Sequence, residues 1–490
     1  MPTPDTPLIV ALDIGTTSVR ALVYDALGRR LPELHASRPS PLHTTADGGA
    51  EMDPEALVAA AVACLAEVGQ QLGPRAAAVA GVATCTFWHS FLGADAGGRP
   101  LTPIYTWADT RAAAEMRRLR RRLDQEAVHG RTGAIFHTSY WPARLSWLRR
   151  TQGPLFRRVR QWLSPGEYLS LRLTGAPQCS VSMASGTGLF DQNRLDWDLE
   201  VRGQLSPLTE LDRPARGLRP EWRDSLAYLA DVPWLPALGD GACSNVGSGC
   251  LGPERLALML GTSGALRAVL VVPEAHAPLG LWLYRVDRRR FLMGGALSNG
   301  GNLLAWLHDT LRLEITPALL AELAALPPDG HGLTVLPFLA GERNPGYAPG
   351  ATATISGLRW HTRPVEILQA GLEAVAYRMA LIHELLRPQL PAEAQIIASG
   401  GALAKLPFWA QIMADVLGRP VVTSQDAEAS SRGAAILAAE SLGLIRSAAE
   451  APPPFGPAWA PDPARHERYR QGLERQRGLY RKLVNGALRS

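Results

Sequence analysis

The sequence predicts an α/β protein assembled from two like halves, and three observations carry that reading. Short Val-, Ile- and Leu-rich runs alternate along the chain with longer segments of helical spacing. The opening unit, LIVALDIGTTSVRALVYD at 8–25, returns in plan half a chain later as LALMLGTSGALRAVLVV at 256–272: strand, Gly-Thr/Ser turn, arginine, strand, as a duplicated domain would leave it. The length of 490 residues, with 46% hydrophobic and 19% charged residues, is enough for two substantial cores.

In chain order, Leu8–Leu12 and Val19–Tyr24 flank the polar hexapeptide Asp13–Ser18 and read as a β-hairpin. Gly15 permits close backbone approach at its tip, and Thr16, Thr17 and Ser18 add hydroxyls, a concave set of donors suited to phosphate. Asp13 is placed to hold Mg2+ through water, and Arg20 adds a fixed positive charge. The same residues read equally well as an ordinary hairpin with a polar tip. There is no Gly-Lys-Ser/Thr loop, and the turn leads to a strand rather than a helix, which sets the unit apart from the common nucleotide fingerprints. Pro54–Val68 reads as an amphipathic helix, Val79–Thr84 as a strand, Thr106–Arg122 as a loop entering a basic helix, and Leu145–Arg150 and Glu167–Leu173 as helical pieces. Pro364–Leu386 is the longest helix and Ser430–Ser441 a small-residue one. Between them a third turn, Ile396–Ala402, runs through Gly400 and Gly401 toward a helix at Pro407–Leu417, an arrangement suited to a ligand at a helix N-terminus. A Pro-rich break at Ala451–Pro463 then precedes a polar helix, Pro463–Leu488, expected to lie on the surface as an appendage.

Composition narrows the function. Thr3–Pro7 lacks the pattern of a signal peptide, and no run of about 18 apolar residues is free of charge or breaker, so no membrane partner is expected. Cys64, Cys85, Cys179, Cys243 and Cys250 form no C-x-x-C pair and read as reduced thiols of a cytoplasmic protein. The runs Arg117–Arg122 and Arg288–Arg290 lack interleaved aromatic residues and read as solvated faces, so no nucleic-acid partner is expected.

Two further constellations carry chemistry. Asp240 lies between Gly239 and Gly241 at a strand end, open to a ligand. Transfer of phosphate to an alcohol needs one such carboxylate to accept the hydroxyl proton, although Asp-Gly is also a common turn dipeptide. Trp88-His89-Ser90 and Thr106–Arg111 each set an indole beside polar groups, as the faces and edges of a polyol require. No Cys/His grouping for zinc and no nucleophile motif is present.

Together these motifs resemble the FGGY carbohydrate kinases of the actin, hexokinase and Hsp70 superfamily, over roughly residues 8–445 and in the family's order: DIGTTSVRALVYD, WADTR, GDGACSNVGSG, LGTSGALR, LPFLAGERNPGYAPGATATISGL and SGGALAKLPFWAQIMADVLGRPV. The resemblance implies two ribonuclease H-like domains flanking a central cleft, with boundaries expected at 1–250 and 251–447 and a tail at 448–490. It implies ATP and Mg2+, with Asp240 as general base, Asp13 as the metal-associated acid, and Thr16, Thr17, Ser18 and Arg20 at the first phosphate turn. Gly261, Thr262 and Ser263 fall on the second turn, and Asn302, Gly400, Gly401, Ala402 and Lys405 on the nucleotide site. Trp88, His89, Trp107, Asp109 and Tyr140, with Asp240, fall on the sugar site. Two residues depart from the family's common pattern: Trp88 stands where Met is usual, and Arg144 where Lys is usual. The partner implied is a small sugar or sugar acid, gluconate favoured over xylulose or another pentulose or polyol; a homodimer is compatible with this. A gluconate carboxylate requires a cation in the pocket, and the sequence does not show which arginine supplies it. The competing class is a nucleotide-switched, actin-like binding protein, which needs neither the sugar loops nor Asp240.

Overall fold

The computed structural model describes residues 6–198 and 202–485; the start of the expected N-terminal segment and the end of the helix expected to reach Leu488 lie outside them. The first half is organised on a five-stranded sheet. Strands β1 (Leu8–Ile14), β2 (Ser18–Asp25) and β3 (Arg30–Pro39) form an antiparallel meander, and β4 (Val79–Thr86) and β5 (Leu238–Gly239) add parallel to β1, in the order β5-β4-β1-β2-β3. In the second half β6 (Arg255–Leu260), β7 (Gly264–Leu270), β8 (Trp282–Arg285), β9 (Phe291–Leu297), β10 (Gln395–Ser399), β11 (Val421–Ser424) and β12 (Phe455–Trp459) form a seven-stranded sheet in the order β8-β9-β7-β6-β10-β11-β12. Its central five strands repeat the first sheet's order, and β7 is antiparallel to both neighbours while β6, β10 and β11 run parallel. This is the duplication expected from the two Gly-Thr hairpins, in the ribonuclease H-like plan that the resemblance implies.

Side-chain alternation along the strands feeds three apolar layers. Leu8, Val10 and Leu12 point to an outer core with α1 (Pro54–Leu72), whereas Ile9 and Ala11 face inward. Asp53 caps α1 by accepting from the Glu55 and Ala56 N–H groups. By length and apolar content the helical stretch Pro54–Ala78 reaches that of a membrane span; in this fold the apolar stripe Leu57, Ala61, Leu65, Val68 is buried against the first sheet. Further along, α2 (Ala113–Arg122) and α3 (Trp141–Thr151) pack together and flank the loops that carry Trp107 and Tyr140. Between the sheets lie α4 (Asp240–Gly247), which opens on the candidate base, and, from the second half, α7 (Ala429–Ser441). The outer core of the second half gathers around α5 (Pro364–Leu386) and α6 (Phe408–Leu417).

The C-terminal segment departs from expectation. The Pro-rich stretch supplies β12, an edge strand antiparallel to β11, a position where Pro457 need not donate to a ladder. The following helix, α8 (Pro463–Tyr480), is no appendage: it buries Tyr469, Leu473 and Gln476, the last donating to the Val335 and Ala374 carbonyls. Its polar sequence conceals this seat because only a narrow stripe of it is covered. All five cysteines are free and buried.

Candidate active site

The tips of the two hairpins line one cavity of about 720 Å3 between the halves: Gly15, Thr16 and Thr17 from β1–β2, and Ser263 and Gly264 from β6–β7. Each turn is closed by a backbone bond from its glycine, Gly15 N–H donating to Ser18 O (2.9 Å) and Gly261 N–H to Ser263 O (3.0 Å), the second turn being one residue tighter. The third turn reaches the same cavity through Ser399, Gly400 and Gly401. Gly400 has φ +111°, and a Cβ there would collide with the Leu260 carbonyl, so only glycine lets this turn abut the end of β6.

Asp13, the penultimate residue of β1, is buried; its carboxylate accepts from Arg20 and from the Cys85 thiol (3.3 Å). Arg20 also reaches Glu428 of the second half at 2.6 Å, so one guanidinium joins the first phosphate turn to the loop before α7. Asp240 accepts from the Gly241 N–H at 2.7 Å. Burial pushes its carboxyl up to about 6; the Gly241 hydrogen bond and the Arg267 guanidinium pull the other way, and the Asp13 charge adds to the rise. Arg267 lies on the cleft face of β7, 6% exposed, and its Nε has no hydrogen-bond partner. Gly294 leaves room for its stem and Gly241 for its head: a Cβ at either would crowd it.

Beyond Asp240 the cavity wall becomes aromatic, with Trp88, His89, Trp107, Trp282 and Tyr284. The Trp88 indole packs on Gly186, Gly239 and Gly241 and donates to the Ser182 carbonyl at 2.9 Å. Its bulk therefore sits beneath Asp240 as part of the floor. His89, at φ +69°, directs Nδ1 to the Gly186 carbonyl (2.5 Å). Burial, aided by the Arg343 and Arg144 charges, lowers its pKa to about 3, so the ring is neutral with Nε2 left as an acceptor. Arg144, expected from the resemblance as a lysine, is buried and bonds the carbonyls of His89, Tyr105, Thr106 and Ser139, tying the Trp88–Ser90 and Thr106–Arg111 loops together.

Of the residues singled out from sequence, Thr16, Thr17, Arg20, Trp88, His89, Trp107, Asp240, Ser263, Gly400 and Gly401 line the cavity. Others stand behind it. Asp109 is fully buried and holds Arg111 and the Ala50 N–H, which fixes the Trp107 loop. Tyr140 is buried and bonded to the Tyr284 hydroxyl at 2.5 Å. Asp13 backs the first turn through Arg20, and Ser18 begins β2. Gly261 and Thr262 accept from Gly301 N–H and Asn302 N–H, and the Asn302 side chain is spent on Gly300 N–H and Ser298 O, so these residues brace the second turn. Ala402 packs at Gly301, and Lys405 is exposed. Sequence reasoning passed over Tyr284 and the loop 425–428, which come from a strand and a loop far apart in the chain and carry no local motif; Arg343 lies within the LPFLAGERNPGYAPGATATISGL motif but was not singled out there.

Two sheets of the same strand order facing across a ligand-sized cleft define the actin-like class of two-domain proteins. The chain belongs to the FGGY family of carbohydrate kinases: the family's N-terminal domain matches residues 8–247 and its C-terminal domain residues 256–442. It is 27% identical to a gluconokinase of Bacillus subtilis over 460 residues, covering 90% of this chain and 89% of that protein. It is 29% identical to a xylulose kinase of Escherichia coli over 499 residues, covering 97% and 99%. The structure superimposes on that of gluconate kinase from Lactobacillus acidophilus with a TM-score of 0.91 at 25% identity, covering 98% of each chain.

Proposed function

We propose that this carbohydrate kinase transfers the γ-phosphoryl group of ATP to a primary hydroxyl of an open-chain sugar acid, gluconate being the favoured acceptor. The observation that carries the reading is the position of Asp240, a half-buried carboxylate with a free oxygen in the same cavity as both hairpin tips and the aromatic pocket. Asp240 accepts the hydroxyl proton as the acceptor oxygen bonds to phosphorus and the bond to the bridging oxygen of ADP breaks. Thr16, Thr17 and Ser263 offer hydroxyls and backbone N–H groups to the phosphates, and the Gly400–Gly401 turn gives the nucleotide close approach to the backbone. Asp13, behind the first turn with Arg20 and Cys85 on its carboxylate, would hold Mg2+ through water, and the ion would supply charge neutralisation at the phosphates. His89 Nε2 and the Trp107 indole offer an acceptor and a flat apolar face to a polyol. The gluconokinase and gluconate kinase relatives support the choice of acceptor; the xylulose kinases at similar identity supply the competing one.

The test is an ADP-release assay over gluconate, xylulose, ribulose and glycerol. The reading expects the highest kcat/KM with gluconate. Efficient turnover of xylulose with none of gluconate contradicts it, and slow ATP hydrolysis that no sugar stimulates points to an actin-like switch.

A further inference from the structure

The charges that line the cavity do not balance at its acceptor end. Arg20 is neutralised by Asp13 and Glu428, and Asp426 by Arg432 at 3.2 Å. Arg267 faces Asp240. Arg343, half-buried on the same wall, has no ion pair or side-chain hydrogen bond among the described residues. The acid beside it in sequence, Glu342, is turned away and bonded to Arg378, Tyr480 (2.5 Å) and the Gly346 N–H. The groups that face Arg343 are His89, His137, Tyr140, Tyr284 and Tyr347, none of which offers a negative charge at neutral pH.

The loop that carries Arg343 is held on its C-terminal side. Asn344 accepts from Ala296 N–H at 2.8 Å and donates to the Gly280 carbonyl (2.6 Å) and the Tyr347 hydroxyl (2.9 Å). A half-buried guanidinium without a counter-ion keeps its fork free for an incoming anion, and a carboxylate engages it through charge-assisted hydrogen bonds. A neutral ketose or polyol does not.

We propose that Arg343 is the specificity-determining residue of the acceptor site and binds the carboxylate of a sugar acid. This rests on the sugar-acid reading above and names the residue responsible for it. Phosphate is the other anion the cavity could offer Arg343. The distribution of charge favours the carboxylate: Arg267 acts on Asp240, at the hydroxyl undergoing transfer, whereas the field of Arg343 falls on His89 and Tyr140.

The experiment compares gluconate with glucitol, which replaces the carboxylate by a hydroxymethyl group on the same carbon chain. Dissociation constants come from calorimetry, alongside the KM for ATP. In Arg343→Gln the preference for gluconate over glucitol falls about 10- to 100-fold, and Arg343→Lys, retaining the charge without the fork, restores part of it. Equal weakening of both acceptors overturns the proposal, as does a rise in the KM for ATP in place of the loss for gluconate, or a loss of preference in Arg267→Gln rather than in Arg343→Gln. Should Arg343→Gln fail to give the wild-type circular dichroism spectrum, Arg343→Lys carries the comparison, and an unchanged preference there is the overturning result. A wild-type enzyme that binds and phosphorylates no aldonate defeats the sugar-acid reading itself. One that phosphorylates gluconate while Arg343→Gln keeps its preference defeats only the assignment to Arg343.

Discussion

Gly247 and Gly433 meet backbone to backbone where α4 crosses α7: a methyl group at Gly433 would overlap the Cys243 carbonyl oxygen, and one at Gly247 the Ala429 carbonyl oxygen. The crossing joins the helix that begins with Asp240 to the helix preceded by Glu428, so the two halves of the site are registered through two absent side chains. Gly433→Ala is expected to destabilise the protein by about 3 kcal/mol or more, because the overlapping atoms belong to backbone and cannot rotate away. Urea unfolding measures this; a loss within experimental error would mean that the helices cross less tightly than described.

As the proposed general base, Asp240 is expected to give the enzyme an acid limb. As a general base it works only when ionised, so kcat/KM falls about tenfold per pH unit below its pKa of about 6 and levels off above it. Arg267 is the guanidinium that favours the ionised form, so Arg267→Gln moves that limb to higher pH. A profile whose limb stays in place in that variant separates Arg267 from the base.

The same shift acts on stability with the opposite sign. The carboxyl binds its proton more tightly in the folded protein, near 6, than in the unfolded chain, near 3.8. The associated stability is fully present below pH 3.8 and is lost as pH rises through 6. Asp240→Asn, which needs no ionisation, is therefore expected to be more stable than wild type by about 1–3 kcal/mol at pH 8, with the gain vanishing near pH 4. Thermal unfolding at the two pH values checks it; a variant less stable than wild type at pH 8 contradicts the burial argument.

Trp88 fills space against three glycines beneath the base. Trp88→Met restores the residue common in the family and opens the floor, at a cost of about 2–4 kcal/mol for the lost packing and the lost bond to Ser182. Acceptor kinetics should shift toward bulkier ketoses relative to gluconate. An unchanged acceptor ranking would remove Trp88 from the determinants of the pocket.

Much of this was legible in the chain because it is local. The Gly-Thr hairpins, the Gly400–Gly401 turn and the bounds of Pro364–Leu386 follow from short apolar periods closed by glycine or proline, and the structure reproduces them. The repeat of one hairpin half a chain away already implied two sheets of one plan. What escaped is set by distance in sequence. Nothing around Asp109 announces that Arg111 and Ala50 consume its carboxylate, and the signal that placed it on the sugar loop is the one that makes it a brace for Trp107. Tyr284 and Arg343 lie more than a hundred residues from the loops that carry His89 and Tyr140; Tyr284 has no distinctive neighbours, and the GERNPGYAPG stretch around Arg343 marks a turn without showing that its arginine reaches the cavity. The edge strand Phe455–Trp459 is masked by its prolines, and the narrow buried stripe of α8 by the arginines around it.

The central claim is that Asp240 accepts the proton of the acceptor hydroxyl. The most direct measurement is gluconate-dependent ADP release by Asp240→Asn at saturating substrates near pH 8, on protein shown by circular dichroism to be folded. A fall in kcat of about a thousandfold, with gluconate still bound, is the predicted result. Turnover within a few-fold of wild type would contradict it.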